Sequence, residues 1–453
     1  MNLYTLLQSR LAQSGPIRVG VIGAGKFASM FLSQAYRTPG LHVIGVCDLS
    51  LERAANALTG VGFPEAQIQA RSFEEADSNG GTHLTNDADA LIGAPGLEVV
   101  VDATGDPAAG IRHALACCEA GRHIVMVNVE ADALAGPILA EHARRAGIVY
   151  SLAYGDQPAL IAEQVDWARA AGFDVVCAGK GTKYLPEYHQ STPETVWSYY
   201  GLNAEQASAG GMNPKMFNSF LDGTKSAIEM AAVANATGLQ APTDGLRFPP
   251  SDVRDLPQVL KPQSDGGTLE TKGMVEVVSS LRRDGSELER DLRWGVYVVF
   301  EAPSDYVARC FSEYGLVTDD SGRYSAMYKP YHLIGLELGI SVMSAVLRGE
   351  PTGQPTGFLA DVAATAKRDL KAGERLDGEG GHMVWGRLMP ATESLARQAL
   401  PIGLANDVTL RNDVPLGQSL CWDDVAIDPD SQAVLTRRAM ELQARGAREG
   451  LNN

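Results

Sequence analysis

IRVGVIGAGKFASMFLSQAYRTPGLHVIGVCD, residues 17–48, is the stretch that decides the fold. It begins with a short apolar run rich in β-branched residues, which is typical of a buried parallel strand. A glycine turn follows, then a helical pattern to about Tyr36 and a second apolar run that ends on Asp48. Strand, turn, helix and strand, with an acid about 20 residues after the glycines, predict a dinucleotide-binding βαβ unit.

Each position of the glycine turn has an expected task. Gly23 permits the tight turn, Gly25 lets a pyrophosphate approach the backbone, and Ala28 keeps the helix close to the strand. Lys26 and Phe27 stand in the same turn. The free N–H groups and partial positive charge of the helix N-terminus favour phosphate, so residues 23–28 are predicted to bind the cofactor.

The choice between NAD and NADP depends on two neighbouring residues. Asp48 is expected to accept hydrogen bonds from a ribose 2′-hydroxyl, and its charge repels a 2′-phosphate. Arg53 is close enough in sequence to offer that phosphate a partner. The acid favours NAD without excluding NADP.

Bulk properties narrow the class of protein. A chain of 453 residues predicts two or three domains, and its net charge of −17 argues against nucleic acid or an anionic membrane as a partner. Six cysteines without a CxxC pair indicate buried thiols in a reducing compartment. No apolar run approaches the roughly 18 residues of a membrane span, and the N-terminus lacks the apolar core of a signal peptide. We expect a cytoplasmic protein.

The rest of the first 150 residues continues the strand–helix alternation. Apolar runs at 98–101 and 123–127 precede two polar turns, at Thr104-Gly105 and at Asn128. Ligands of parallel sheets collect at the carboxyl ends of strands, so these three residues are predicted to face the cofactor. The alternation predicts a doubly wound parallel sheet of about six strands.

The central region carries the candidate chemistry. A strand at 175–179 leads into a cluster of basic, tyrosine and histidine side chains on an otherwise acidic chain, with candidate catalytic residues at Lys180, Lys183, Tyr184 and His189. Such residues after a strand also serve to cover the edge of a core. Apolar runs at 272–278 and 295–300 predict an antiparallel sheet.

A second candidate site is a helix expected from about residue 216 to 237. Lys225 and Glu229 are four residues apart and therefore share one face of it. An exposed ion pair at this spacing would contribute little stability. Because the helix is apolar nearly all round, we expect it to be buried and its charged stripe to face substrate.

These elements together resemble the 1-deoxy-D-xylulose 5-phosphate reductoisomerase-like (DRL) family, which is related to homoserine dehydrogenase. The resemblance rests on the Thr-Gly turn at 104–105, the Gly-x-His-Ile-Val run at 121–125, the Asn-x-Glu at 128–130 and the Gly-Thr-Lys-Tyr at 181–184. Turn motifs between residues 366 and 425 resemble a SAF domain, the small β-clip module of sialic acid synthases, antifreeze proteins and flagellar chaperones.

The resemblance implies an α/β fold in three domains. Residues 1–150 would form an N-terminal Rossmann domain with a doubly wound parallel sheet. Residues 151–355 would form a central α+β catalytic and dimerisation domain, whose last helix packs back on the first domain. Residues 356–453 would form the C-terminal SAF-like domain. A homodimer or higher homo-oligomer is expected.

The implied activity is conversion of 1-deoxy-D-xylulose 5-phosphate to 2-C-methyl-D-erythritol 4-phosphate in isoprenoid precursor synthesis, with NADPH or NAD(H). Such a rearrangement needs a cation to polarise vicinal oxygens and basic groups for a phosphate. Hard oxygen ligands for Mg²⁺ or Mn²⁺ are available at Asp156, Glu163 and Glu229. The lysines at 180, 183, 215 and 225 are available for a sugar phosphate or an oxyanion.

Two alternatives stay open. One is a dehydrogenase of a small hydroxy acid or amino alcohol, similar to homoserine dehydrogenase, with Lys183 or Lys225 as proton donor. The other is a non-catalytic NAD(P)-binding module that uses its C-terminal region for interaction.

Overall fold

The computed structural model describes residues 2–209 and 212–451. It divides into two compact units, each built from two separate stretches of the chain. The first unit is Met1–Leu160 with Leu333–Pro355, and the second is Ile161–His332 with Thr356–Asn453. The structure groups residues 356–453 with 161–332 in one unit. The predicted division into three domains stays a proposal.

The α-helices begin at the N-terminus and follow one another along the chain. They are α1 (Leu3–Ser14), α2 (Lys26–Ala35), α3 (Leu51–Gly60), α4 (Phe73–Asn79), α5 (Ala88–Ile92), α6 (Pro107–Ala120), α7 (Val129–Ala146), α8 (Gln157–Ala170), α9 (Val196–Tyr200), α10 (Ala204–Ala209), α11 (Pro214–Leu221), α12 (Thr224–Thr237), α13 (Leu256–Val259), α14 (Asp305–Glu313), α15 (Gly339–Arg348), α16 (Ala391–Arg397) and α17 (Gln432–Leu451).

The strands form one parallel sheet, one mixed sheet and two small antiparallel sheets. They are β1 (Ile17–Ile22), β2 (Leu41–Cys47), β3 (His83–Thr85), β4 (Val99–Asp102), β5 (His123–Met126), β6 (Tyr150–Leu152), β7 (Asp174–Thr182), β8 (Met274–Ser279), β9 (Val296–Glu301), β10 (Tyr324–Lys329), β11 (Ala360–Ala366), β12 (Arg375–Asp377), β13 (Val384–Pro390), β14 (Asn406–Leu410) and β15 (Val425–Ala426).

The first unit contains the parallel sheet. Its six strands lie in the order β3-β2-β1-β4-β5-β6, and every pair is parallel. The strand order reverses between β1 and β4, which is where doubly wound sheets bind ligands. The α/β class with a six-stranded Rossmann sheet is therefore confirmed.

The core of this unit includes residues from α15, a helix far along the chain. Val19 and Val21 of β1 and Phe31 of α2 are fully buried in one hydrophobic cluster. Leu338 and Val342, from the α15 region, belong to the same cluster. α15, which contains Val342, begins at Gly339, ten residues after β10 ends at Lys329.

The second unit contains the mixed sheet, in the order β10-β9-β7-β8. The prediction of an antiparallel sheet is corrected in part: β9 pairs antiparallel with β7 and β10, whereas β8 pairs parallel with β7. A parallel neighbour requires a crossover connection, and the long segment with α9–α12 between β7 and β8 supplies one.

Residues 356–453 form the sheets β11–β13 and β12–β14–β15. The first of these packs against α12, where the Gly386 N–H donates to Thr224 Oγ1 at 2.8 Å. Small antiparallel sheets agree with the expected C-terminal fold class, while the likeness to a SAF domain stays a proposal. Within the described residues, no helix is both long and apolar enough to cross a membrane.

Candidate functional site

The glycine turn after β1 has the geometry that the sequence predicted. Gly23 has φ +93°, and a Cβ there would lie 2.7 Å from the Ala103 carbonyl oxygen, so only glycine fits. Gly25 is exposed, and a Cβ at this position would meet no atom within 4 Å. The space above the N-terminus of α2 is therefore open to a ligand.

The first turn of α2 completes this opening. Gly25 is its N-cap residue and provides no side-chain cap for the first N–H groups. Lys26 is exposed, Phe27 is partly buried against the core, and Ala28 is fully buried. Uncapped N–H groups and a partial positive charge favour a phosphate, so the turn fits the pyrophosphate of a nicotinamide dinucleotide.

Asp48 connects the end of β2 to this turn. Its carboxylate accepts the N–H of Ala24 at 2.8 Å, the N–H of Ser50 at 2.8 Å and Nε of Arg53 at 2.9 Å. Burial raises the pKa of Asp48, but these hydrogen bonds outweigh it and hold the pKa below its usual value. The acid is ionised and lies beside the turn, as a ribose partner must, and Arg53 places a positive charge next to it.

Hydrogen bonds from Asn128 hold the turn after β4. The Asn128 Nδ2 donates to Thr104 Oγ1 at 3.1 Å and to the Asp106 carbonyl at 2.7 Å, while its Oδ1 caps α7 at the Ala131 N–H. Gly105, at φ +70°, is exposed in the same turn. Asn128 is fully buried and so shapes the loop, whereas Gly105 lies on the surface.

A buried Asp–His pair lies under the same turn, and sequence reasoning missed it. Asp102 accepts Thr104 Oγ1 at 2.7 Å and contacts His113 Nδ1 at 2.7 Å. Asp102 and His113 are 0% and 2% exposed. An acid at a strand end was visible in the sequence, but no pattern on α6 distinguished the histidine that faces it.

In the second unit, Lys180 and Glu229 form a buried ion pair. Lys180 lies near the end of β7, and its Nζ contacts Oε2 of Glu229 on α12. Both residues are less than 5% exposed. Buried charges persist only when they are paired, and each of these two side chains provides the partner of the other.

The predicted metal ligands do not fit a metal ion. Glu229 is paired with Lys180, Glu163 is exposed on α8, and Asp156 is buried with its Oδ1 accepting the Gln157 N–H. Among residues 2–209 and 212–451, no three His, Cys, Asp or Glu side chains are grouped to hold a metal.

Of the other three predicted lysines, Lys215 donates to the Asp377 carbonyl at 2.6 Å, and Lys225 and Lys183 lie in different surroundings. Lys225 is partly exposed on α12, on the same face as Glu229. Lys183 donates to the Tyr199 carbonyl at 2.6 Å, and burial, with the nearby Arg293 charge, lowers its pKa. A lowered pKa makes Lys183 a better proton donor than an ordinary lysine.

Tyr184 and His189 form a hydrogen-bonded chain. The His189 Nδ1 lies 2.7 Å from the Asp222 carbonyl, which only accepts, so Nδ1 carries the proton and Nε2 accepts the Tyr184 hydroxyl at 2.9 Å. Burial lowers the pKa of His189 and raises that of Tyr184 to about 12. Both groups are therefore neutral near pH 7.

The helix predicted from 216 to 237 is two helices, α11 and α12. The break falls at Gly223, whose φ of +90° turns the chain, and Asp222 Oδ1 accepts the Thr224 N–H. Asp222 pairs with Lys367 at 2.7 Å, and both side chains are almost fully buried. Lys367 follows β11 in the C-terminal region and was not predicted as part of any site.

Two family models match the chain over separate stretches. Residues 17–127 match the model described as "Oxidoreductase family, NAD-binding Rossmann fold". Residues 155–338 match the model described as "Oxidoreductase DRL, catalytic domain", which supports the resemblance to the DRL family. The first match contains the glycine turn, and the second contains Lys180, Lys183, Lys225 and Glu229.

Solved structures give weaker likenesses. A probable dehydrogenase from Thermotoga maritima is 14% identical over 74% of this chain and 90% of that one, with a TM-score of 0.35. Scyllo-inositol dehydrogenase from Lactobacillus casei is 11% identical over 63% and 73%, with a TM-score of 0.34. TM-scores of this size do not establish a shared fold, so the fold rests on the sheet order described above.

A comparison with curated proteins gave no match. The two family matches cover both the nucleotide turn and the lysine-bearing helix, and together they support an NAD(P)-dependent oxidoreductase.

Proposed function

We propose that this chain is an NAD(P)-dependent dehydrogenase that interconverts a hydroxyl and a carbonyl group on a small anionic substrate. The observation that carries the proposal is the open N-terminus of α2, where Gly25 leaves room for a pyrophosphate beside ionised Asp48. The bound nicotinamide would supply or accept the hydride. The remaining chemistry is proton transfer and charge stabilisation by the chain's own side chains.

Lys225 is the proposed proton donor to the carbonyl oxygen. Its partly exposed side chain lies on the face of α12 that also bears Glu229. Because Glu229 is neutralised by Lys180, this face presents no unbalanced negative charge to an anionic substrate. Lys183, with its lowered pKa, is the second candidate for this step.

A second candidate is the reductoisomerase reaction on 1-deoxy-D-xylulose 5-phosphate, which the match to a DRL catalytic domain favours. There, a carbon–carbon rearrangement would precede the hydride transfer. The same lysines would hold the phosphate and the developing oxyanion.

Deuterium-labelled cofactor distinguishes these functions. We expect the protein to move deuterium from C4-labelled NADH or NADPH to one member of a panel of oxo acids, amino aldehydes and sugar phosphates. An unchanged carbon skeleton in the product identifies the dehydrogenase, and a branched skeleton identifies the reductoisomerase. Tight cofactor binding without transfer to any substrate would instead indicate a binding module.

Replacing Lys225 tests the proposed donor. Lys225→Met is expected to lower kcat/KM by roughly 10²-fold or more, since the loss of one transition-state contact costs about 3 kcal/mol. Lys371→Met is the matched control, because Lys371 is exposed and paired with Asp413. Steady-state turnover and thermal unfolding are measured for both. Near-wild-type kinetics in Lys225→Met would remove this face of α12 from the mechanism.

A further inference from the structure

The second unit contains a pocket of about 170 Å³ that the proposed function does not use. It is lined by Gly223, which precedes α12, by Ala227 of α12, and by His189, Phe248, Trp385 and Arg387. Trp385 and Arg387 are alternate residues of β13, so they project from the same face of that strand. The C-terminal region thus builds one wall.

The pocket lies on the opposite side of α12 from the proposed proton donor. At about 100° of rotation per residue, Lys225 and Glu229 are about 40° apart around the helix axis. Ala227, which lines the pocket, points roughly the opposite way, about 160° from each of them. A ligand in the pocket would therefore not contact Lys225.

Aromatic rings dominate the walls. His189 stacks on Trp385 with ring centroids 3.9 Å apart, and Tyr184 stacks on Phe248 at the same distance. His189 is fixed as a neutral ring by its two hydrogen bonds. Aromatic rings fixed in this way can stack on, or contact edge to face, the ring of a bound ligand.

A buried acid holds Phe248 in a strained backbone conformation. Its φ of +50° is uncommon for a bulky residue. Glu276 accepts the N–H groups of Arg247, Phe248 and Val277, which keeps the loop in this conformation. Strain that the surrounding structure enforces is concentrated at ligand sites.

Arg387 is the cation at the rim. Its Nη2 donates to the Asp244 carbonyl at 3.0 Å, and the Asp244 carboxylate lies 4.0 Å away with 86% of that side chain exposed. Within the described part of the chain, Nε and Nη1 of Arg387 have no hydrogen-bond partner. Either of these N–H groups can donate a charge-assisted hydrogen bond to a carboxylate.

We propose that this pocket is a second binding site, for a small aromatic acid with one flat ring and one carboxylate. The ring would pack between the Phe248 and Trp385 walls, and the carboxylate would pair with Arg387. A volume of about 170 Å³ suits one ring, since a cavity of about 150 Å³ holds benzene. The proposal goes beyond the oxidoreductase function and does not depend on it.

Calorimetric titration with benzoate tests the site, with saturating NADH present so that the cofactor site is closed to the probe. We expect benzoate to bind wild-type protein at least about tenfold more tightly than benzamide, the neutral analogue of the same shape. Arg387→Gln should abolish this preference and leave benzamide binding unchanged. Trp385→Leu should weaken both probes.

Arg375→Gln and Trp294→Leu are the matched controls, because both residues are exposed elsewhere in the same unit. Both should bind benzoate as wild type does. If Trp385→Leu does not fold, the comparison of Arg387→Gln with Arg375→Gln decides alone. Absence of benzoate binding to wild type, or binding that Arg387→Gln leaves unchanged, would overturn the proposal.

Discussion

Burial changes the pKa of Asp132. It is fully buried on α7, its Oδ1 accepts the Tyr150 hydroxyl at 2.8 Å, and within the described residues its Oδ2 has no hydrogen-bond partner. Burial raises its pKa to about 7, although the hydrogen bond from Tyr150 opposes the shift. The folded protein therefore favours the protonated acid.

This pKa predicts a pH-dependent stability. An unfolded aspartate has a pKa near 3.9, so the contribution of Asp132 is full below about pH 4 and is lost as the pH rises through about 7. Asp132→Asn cannot ionise. We expect its free energy of unfolding, relative to wild type, to rise with pH between those values by up to about 1.4 kcal/mol per unit.

Chemical denaturation at a series of pH values measures this difference. Asp89→Asn, at an exposed position of the same unit, is the control and should show no such trend. A difference between Asp132→Asn and wild type that stays constant from pH 4 to 7 would contradict the assignment.

Single residues also show what the sequence could reveal. Gly23, Gly25 and Asp48 were predictable because their tasks depend on local spacing along one βαβ unit. The Asp222–Lys367 pair was not, because its partners are distant in sequence and neither belongs to a motif. Lys180 and Glu229 were identified as site residues, but not as partners of each other.

At the scale of elements, the N-terminus of α2 provides the clearest test. Gly25→Val is expected to lower NAD(P)H affinity by at least about tenfold, since its methyl groups would occupy the approach of the pyrophosphate. The unfolding temperature should change little, because a Cβ at Gly25 meets no atom within 4 Å. Calorimetric titration and thermal unfolding give the two values.

Gly60→Val is the matched control, because a Cβ on this last residue of α3 also meets no atom within 4 Å. It should bind cofactor as wild type does. Equal cofactor affinity in Gly25→Val and Gly60→Val would show that the dinucleotide does not lie over this turn.

Element prediction failed where a local turn interrupted a continuous apolar pattern. The six parallel strands were predictable because buried β-branched runs alternate with helices. The break between α11 and α12 was missed, since apolar residues continue across it and outweigh the Asp222-Gly223 turn signal. The parallel partner of β7 was missed because strand order depends on contacts that the sequence pattern does not contain.

At the scale of the whole molecule, the C-terminal region is integral to the second unit. Lys367 neutralises buried Asp222, and fully buried Arg437 of α17 pairs with Asp361 of β11. Removal of one partner from a buried pair costs about 3–5 kcal/mol. Neither the sequence pattern nor the fold identifies the substrate, because one fold accommodates many chemistries.

Truncation after residue 355 tests this organisation. We expect the shortened chain to bind NAD(P)H, since both stretches of the first unit are kept, and to lose the protection of β7, β8 and β9 against hydrogen exchange. Calorimetry and hydrogen-exchange mass spectrometry measure the two effects. Loss of cofactor binding, or unchanged protection of β7–β9, would contradict the division into units.

The discontinuous first unit has a consequence for synthesis on the ribosome. Its core includes Leu338 and Val342, which are translated only after all of residues 161–332 have been translated. Chains usually fold domain by domain from the N-terminus during synthesis. Here the nucleotide-binding unit cannot complete its core until the intervening polypeptide has been made, and part of that core stays exposed in the meantime. The nascent chain is therefore a predicted client for chaperones that shield apolar surface during that interval.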